Sequence, residues 1–211
     1  EGESSYQMYI REYAGVDPKS GESVWKKGER TYELDADGNP ILDKYTTAWS
    51  DTSTYSNVSS SHDSKKLFGS SMPTVFGGFG TTLYAYGFDF SIAFDYQLGG
   101  KVYDGAYAGY MSSPTSATAG KNYHLDLLDA WTKDNPNSNI PRFQFADEYV
   151  AVTSTRFLIS SNYLNISNIS IGYNFPAKWW NGKIQNLRVY AVCDNVWYWS
   201  ARKGFDPRGT G

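Results

Sequence analysis

The chain has 211 residues, a formal net charge of −3 and scattered Lys and Arg, so it offers no basic stripe for a phosphate backbone, and nucleic acid is not a partner. Hydrophobic residues make up 40 %, as in many soluble proteins, but 17 % of the chain is aromatic, a bias toward strands. Apolar runs are too short for a helix to cross a membrane, and the single Cys193 allows no intrachain disulfide.

The start, EGESSYQMYI, lacks the basic, apolar and cleavage segments of a signal peptide. A first strand is predicted over 5–13, with Tyr6, Met8 and Ile10 on one face. A polar stretch over 15–72 follows, and YELDADGNPIL within it reads as a hairpin turning at Asp37-Gly38. DADG also opens like a calcium loop, but the Glu that such a loop needs at its end is missing.

Next come VFGGFGTTLY, 75–84, and FDFSIAFDYQL, 88–98. The connection 85–87, with Gly last, is expected to be a three-residue type I turn that points Tyr84 and Phe88 the same way. Along 88–98 the apolar Phe88, Phe90, Ile92, Phe94, Tyr96 and Leu98 alternate with Asp89, Ser91, Ala93, Asp95 and Gln97. A long connection, 99–160, holds the one convincing helical segment, 122–135, capped at Asn122 with Leu125, Leu128 and Trp131 at helical spacing.

Two more strands close the series. In 163–175, Ile169, Ile171, Tyr173 and Phe175 share a face, but the apolar phase slips between Ile166 and Ile169. Either a bulge sits there, or, if the strand crosses a membrane, Leu164 and Ile166 lie above it in the mouth of a barrel. After PAKWWNGK comes 184–200, where Leu187, Val189, Ala191 and Cys193 oppose Arg188 and Asp194, and Asn195 interrupts the pattern.

Short connections thus alternate with very long ones, as in outer-membrane barrels with tight periplasmic turns and long external loops. Eleven residues, 88–98, reach about 36 Å, or about 28 Å of height at a tilt near 40°, against an apolar band of about 25 Å. The residues alone leave two architectures open: a transmembrane antiparallel barrel, or a soluble aromatic-rich sandwich that binds carbohydrate. In the barrel, Tyr84, Phe88, Phe90, Ile92, Phe94, Tyr96, Leu98, Ile169, Ile171, Tyr173 and Phe175 face lipid.

Chemistry is poorly supported. Asp126 and Asp129 lie one turn apart beside His124, but on one face, whereas glycosidase carboxylates flank a bond from opposite sides. With only His62 and His124 and no G-x-S-x-G, a serine triad has little basis, and neither a metal nor another cofactor is called for. GVDPKSG (15–21) and GFDPRGT (204–210) echo each other as turns that open loops. Trp25, Trp49 and Trp131, expected on exposed loops, are candidates for stacking on a sugar or on a partner.

MPTVFGGFGTTLYAYGFDFSIAFDYQLGGKVYD (72–104), YLNISNISIGYNFPAKW (163–179), LRVYAVCDNVWYWSARKGFDP (187–207) and EGESSYQMYIREYAGVDPKSGE (1–22) together resemble the barrel of SusC/RagA-type TonB-dependent outer-membrane transporters. That resemblance implies the C-terminal portion of a plugged, 22-stranded, multi-pass barrel in the outer membrane, with the plug and the final strand outside residues 1–211. It further implies a SusD-like surface lipoprotein, energy through TonB, a glycan oligosaccharide or peptide substrate, and no catalysis.

Overall fold

The computed structural model describes residues 4–54, 64–118, 120–147 and 149–209; His62 lies outside them. Its elements are almost all strands: β1 (Gln7–Arg11), β2 (Tyr13–Val16), β3 (Ser23–Leu34), β4 (Pro40–Thr54), β5 (Lys65–Ser70), β6 (Val75–Ala85), β7 (Phe88–Leu98), β8 (Lys101–Tyr103), β9 (Leu158–Ser160), β10 (Tyr163–Phe175) and β11 (Leu187–Ser200). Among the described residues one short α-helix, α1 (Gly105–Tyr110), accompanies a few 3₁₀ turns. They fall into two compact units, one of 1–69 with 103–158 and one of 70–102 with 159–211.

The first unit contains the sheet β2-β3-β4 and the pair β1-β5. β3 and β4 form the predicted hairpin. Asp35 shapes its turn: Oδ1 accepts from the amides of Asp37 (2.9 Å) and Asn39 (2.8 Å), and Gly38 takes φ +82. The carboxylate that suggested calcium therefore caps backbone amides, which also holds its pKa below the ordinary value. The two long polar segments of the sequence fold together in this unit. Arg142 reaches Glu22 (3.0 Å) and the carbonyl of Ser20 (3.1 Å), and the Tyr13 amide donates to Thr155 (3.0 Å). Its core is ordinary: Trp25, Val24, Ala108, Met111, Val150 and Phe157 are buried. Beside it the Arg156 guanidinium lies 5.0 Å from the Phe157 ring and 5.4 Å from that of Tyr13. Burial lowers the Arg156 pKa and raises that of Tyr13.

The helix expected over 122–135 does not form. Only a 3₁₀ turn, Leu125–Asp129, is present, led by His124, whose Nδ1 accepts from the Asp126 amide (3.2 Å). Ala130 turns extended (ψ 153), and the Trp131 amide bonds to Ile140 instead of continuing a helix. Leu125 and Leu128 are 78 % and 85 % exposed, so their spacing reflects no packed stripe. The helix that does form, GAYAGY, has two glycines and no apolar period, and is nucleated by Asp104, which accepts from the Tyr107 amide (2.9 Å).

The second unit is built on an antiparallel sheet in the order β11-β10-β7-β6. β6 and β7 form one hairpin; β10 and β11 form another, joined by the 3₁₀ turn Ala177–Trp180. The first turn differs from expectation. Ala85 pairs with Phe88, leaving only Tyr86 (φ 51) and Gly87 (φ 88) between them. Two consecutive left-handed residues make a type I′ turn, whose twist matches that of the strands. Gly87 is required there also because a Cβ would stand 3.0 Å from the Asn174 carbonyl, which carries a neighbouring ladder.

Candidate functional site

Residues directly opposite one another on paired strands share a face, so the register sorts this sheet into two. One face carries Phe88, Phe90, Ile92, Phe94, Tyr96 and Leu98 of β7. Opposite them on β6 stand Ala85, Leu83, Thr81, Phe79, Gly77 and Val75. Opposite them on β10 stand Tyr173, Ile171, Ile169, Ile166 and Leu164. β11 extends the rows with Val189, Ala191, Cys193, Trp197 and Trp199. No charged residue lies on this face among these partners. Tyr84 does not belong to it. The two-residue turn pairs Tyr84 with Asp89, so the expectation that Tyr84 points with Phe88 is wrong.

The phase slip in β10 is a bulge. Ile166 pairs with Phe94 and Asn168 with Ala93, leaving Ser167 as the extra residue. Leu164 and Ile166 therefore rejoin the apolar face. Against β11, Ser167 is opposed by Asn195 and Val196, because Ile166 faces Trp197 and Asn168 faces Asp194. Asn195 adopts φ +50 there and accepts from Arg208 Nη1 (3.3 Å), whose guanidinium stands 5.3 Å over the Tyr198 ring on the other face. The residue that broke the apolar pattern is the bulge itself.

Aromatic rows flank a mostly aliphatic middle. Near the tight turns Phe88 packs on Tyr173 (4.4 Å), Tyr173 on Phe175 (4.8 Å) and Phe175 on Trp179 (5.9 Å). Toward the other end Phe79 stacks on Phe94 (4.8 Å) and approaches Tyr96 (6.2 Å), in rows that end at Trp197 and Trp199. Between them lie Leu83, Ile92, Ile169, Ile171, Ala191 and Cys193, with Phe90 and Thr81 in the same rows. From the Tyr96 row to Phe175 is about ten residue steps, about 33 Å along the strands and about 25 Å at a 40° tilt.

The opposite face carries a chain of polar pairs, with Phe76, Tyr84, Tyr190 and Val192 on the flanking strands. Arg188 grips Asp89 with two bonds, Nη2–Oδ2 at 2.6 Å and Nε–Oδ1 at 3.2 Å. The pair spans β10 directly over Gly172, where a Cβ would stand 2.6 Å from Asp89 Oδ1 and 2.9 Å from Arg188 Nη2. Asn165 donates to Asp95 (2.9 Å), Asn168 to Asp194 (2.7 Å) and Gln97 to Ser161 (3.0 Å). At the end away from the tight turns this side opens into a cavity of about 330 Å³ between Ser71, Gln97, Lys101, Ser161, Tyr163 and Arg208. Only glycine inside a strand hinted at the bridge in the sequence, as a place of close approach.

Burial is inverted in this unit. Among the described residues, the buried hydrophobic side chains all belong to the first unit, whereas the buried polar ones of the second include Asp89 (8 % exposed) and Asn165 (2 %). Large apolar groups of the sheet are exposed instead, among them Phe79, Leu83, Phe88, Ile171, Val189 and Trp197, while Phe90, Ile92 and Phe94 of the inner strand β7 are half-buried.

The other candidates lie in the first unit. Trp25 is 1 % exposed and edge-on to Tyr13 (6.2 Å), so it is a core residue and not a loop platform, which corrects the expectation. Trp49 sits in β4, half-buried, with Lys66 Nζ 4.6 Å over its ring. Trp131 donates to the Pro18 carbonyl (3.1 Å) and lies against Gly21. The three do not converge. Asp126 is held by the Tyr107 hydroxyl (2.5 Å), while the backbone carbonyl of Asp129 accepts from Ser138 (2.5 Å). Both repeated D-P turns are Asx turns: Asp17 accepts from the Lys19 amide (3.1 Å) and Asp206 from the Arg208 amide (3.0 Å).

No established family profile matches the chain. It is 25 % identical over 209 residues to TonB-dependent receptor P3 of Formosa agariphila, a match that covers 98 % of this chain and 19 % of the relative. TonB-dependent receptor P26 of the same organism is 26 % identical over 151 residues, covering 71 % of this chain and 15 % of that one. Among solved structures, the RagAB peptide transporter superposes with a TM-score of 0.69 at 24 % identity, over 95 % of this chain and 20 % of that one. The RagAB peptide importer in its closed-closed state gives 0.66 at 26 %, over 97 % and 20 %. The chain spans about a fifth of the length of these proteins. In sequence and in fold alike, it is similar to part of a SusC/RagA-type TonB-dependent transporter.

Proposed function

We propose that residues 1–211 are the C-terminal portion of a 22-stranded, plugged β-barrel that crosses the outer membrane many times. Phe88, Phe90, Ile92, Phe94, Tyr96, Leu98, Ile169, Ile171, Tyr173 and Phe175 face lipid, and the Asp89–Arg188 face lines the interior. The whole protein imports glycan oligosaccharides or peptides, with a SusD-like lipoprotein over its mouth and TonB supplying energy through another part of the protein. This portion supplies wall and external loops and performs no chemistry.

The observation that carries this reading is the inverted sheet, with an uncharged face about 25 Å tall between aromatic rows and ion pairs behind it. A core-facing sheet would bury that face and turn its charges to solvent. In lipid, both β6 and β11 need further strand neighbours, since unpaired edges cannot stand there. That 1–69 and 103–158 form one compact unit agrees with both long segments lying on one side of the membrane.

Fractionation of cells that express the full-length protein tests the reading. Recovery only after detergent is expected. Release of intact protein by salt or alkaline buffer would overturn it and favour a secreted module.

A further inference from the structure

The turn that joins β10 to β11 carries lysines as well as indoles. It is P-A-K-W-W-N-G-K, a single 3₁₀ turn, Ala177–Trp180, ended by Asn181 (φ 51) and Gly182 (φ 77), both left-handed. Trp179 and Trp180 are exposed, as are Lys178 and Lys183. Among the described residues neither lysine has a carboxylate within ion-pair distance.

Two observations say what covers this turn. Trp179 continues the apolar face, standing 5.9 Å from Phe175 and 6.4 Å from Tyr173, the last rings of the aromatic row at that end. The lysines flank the indoles on a tight loop whose hydrogen bonds, Trp179 N to Pro176 O (3.0 Å) and Lys183 N to Trp180 O (3.0 Å), fix it as a compact unit. Amphipathic indoles favour the boundary between acyl chains and headgroups, and an ammonium just beyond that boundary meets lipid phosphate.

We infer that the 176–183 turn is a binding site for anionic phospholipid headgroups, with Trp179 and Trp180 seated at the acyl boundary and Lys178 and Lys183 on the phosphates. The inference rests on the membrane reading of the sheet and adds the partner that this edge of it takes. It also fixes the height of the barrel, because the two lysines cannot descend past the headgroups without losing both water and phosphate.

The test uses the full-length protein in nanodiscs of zwitterionic phospholipid, with phosphatidylglycerol added in steps, and counts retained lipids by native mass spectrometry. The wild-type protein should retain phosphatidylglycerol over the zwitterionic lipid. K178Q/K183Q should lower that preference by about fivefold for each lysine and leave total lipid retention unchanged. K178R/K183R should keep the preference, and W179L/W180L should weaken retention of both lipids. An unchanged preference in K178Q/K183Q, from protein that still requires detergent for extraction, sinks this inference and leaves the barrel standing. Protein that leaves the membrane without detergent sinks both.

Discussion

The two units of this chain solve opposite problems with similar strands. In the first, Trp25, Met111 and Phe157 are withdrawn from solvent, beside a few buried polar groups such as Asp104 and Ser154. In the second, Asp89 and Asn165 are withdrawn while Phe79, Phe88 and Trp197 are exposed. Apolar surface is driven from water in both cases, so the difference lies in what replaces the water. For the first unit it is the protein's own core. For the second, on the reading proposed here, it is lipid, and the polar pairs answer the need of buried charges and amides for partners.

Core truncation should separate the units most. Phe157→Ala empties a fully buried site and is expected to cost about 3–5 kcal/mol. Ile92→Ala on the sheet should cost far less on the proposed reading, in which acyl chains would close over the missing methyl groups. Heat-modifiability on gels of the two full-length variants checks the order, and equal losses would mean that Ile92 is packed against protein.

Charge insertion comes next. On the proposed reading Ile92→Arg would place a guanidinium near mid-membrane, and should cost about 2–4 kcal/mol and impair insertion. Ser91→Arg, on the opposite face beside Ser170, should be much milder. The folded fraction recovered from outer membranes reads the difference.

Gly172→Ala should be smaller in effect but specific. Its Cβ meets Asp89 Oδ1 and must push apart the Asp89–Arg188 pair. Arg188→Gln should then add little to Gly172→Ala, since both remove the same pair; independent, additive losses in unfolding temperature would contradict this.

The smallest effect concerns pH. The hydroxyl of Ser20 (2.7 Å) and the Lys19 amide hold the Asp17 carboxyl below the usual carboxylate range. A lowered folded pKa adds stability above the unfolded value, near 3.9, and loses it as pH falls through the folded value. Amide protection over 17–22 should therefore hold at pH 6 and weaken below about pH 4. Protection that rises on acidification would contradict the Asx turn.

Much of the sheet was legible because alternation is a local property of the chain. Phe88 to Leu98, and Ile169 to Phe175, declared their faces without any knowledge of neighbours. What failed depended on pairing or on packing. The turn at Tyr86-Gly87 is one residue shorter than expected, which is enough to move Tyr84 to the polar face. The bulge at Ser167 and the role of Asn195 emerge only when three strands are set in register. The Leu125 and Leu128 spacing fitted a helix, yet a 3₁₀ turn satisfies it too, and nothing covers those leucines. Trp25 was placed on a loop by its polar neighbours, although β3 carries it into the core.

The parity of β7 is tested most directly by a cysteine scan of residues 88–98 in the full-length protein, with a lipid-soluble thiol reagent and Cys193 replaced by Ala. Labelling from the bilayer at Phe90, Ile92, Phe94 and Tyr96, and none at Ser91, Ala93 and Asp95, is the predicted result. Equal labelling of both parities, or labelling of neither, would contradict a lipid-facing sheet.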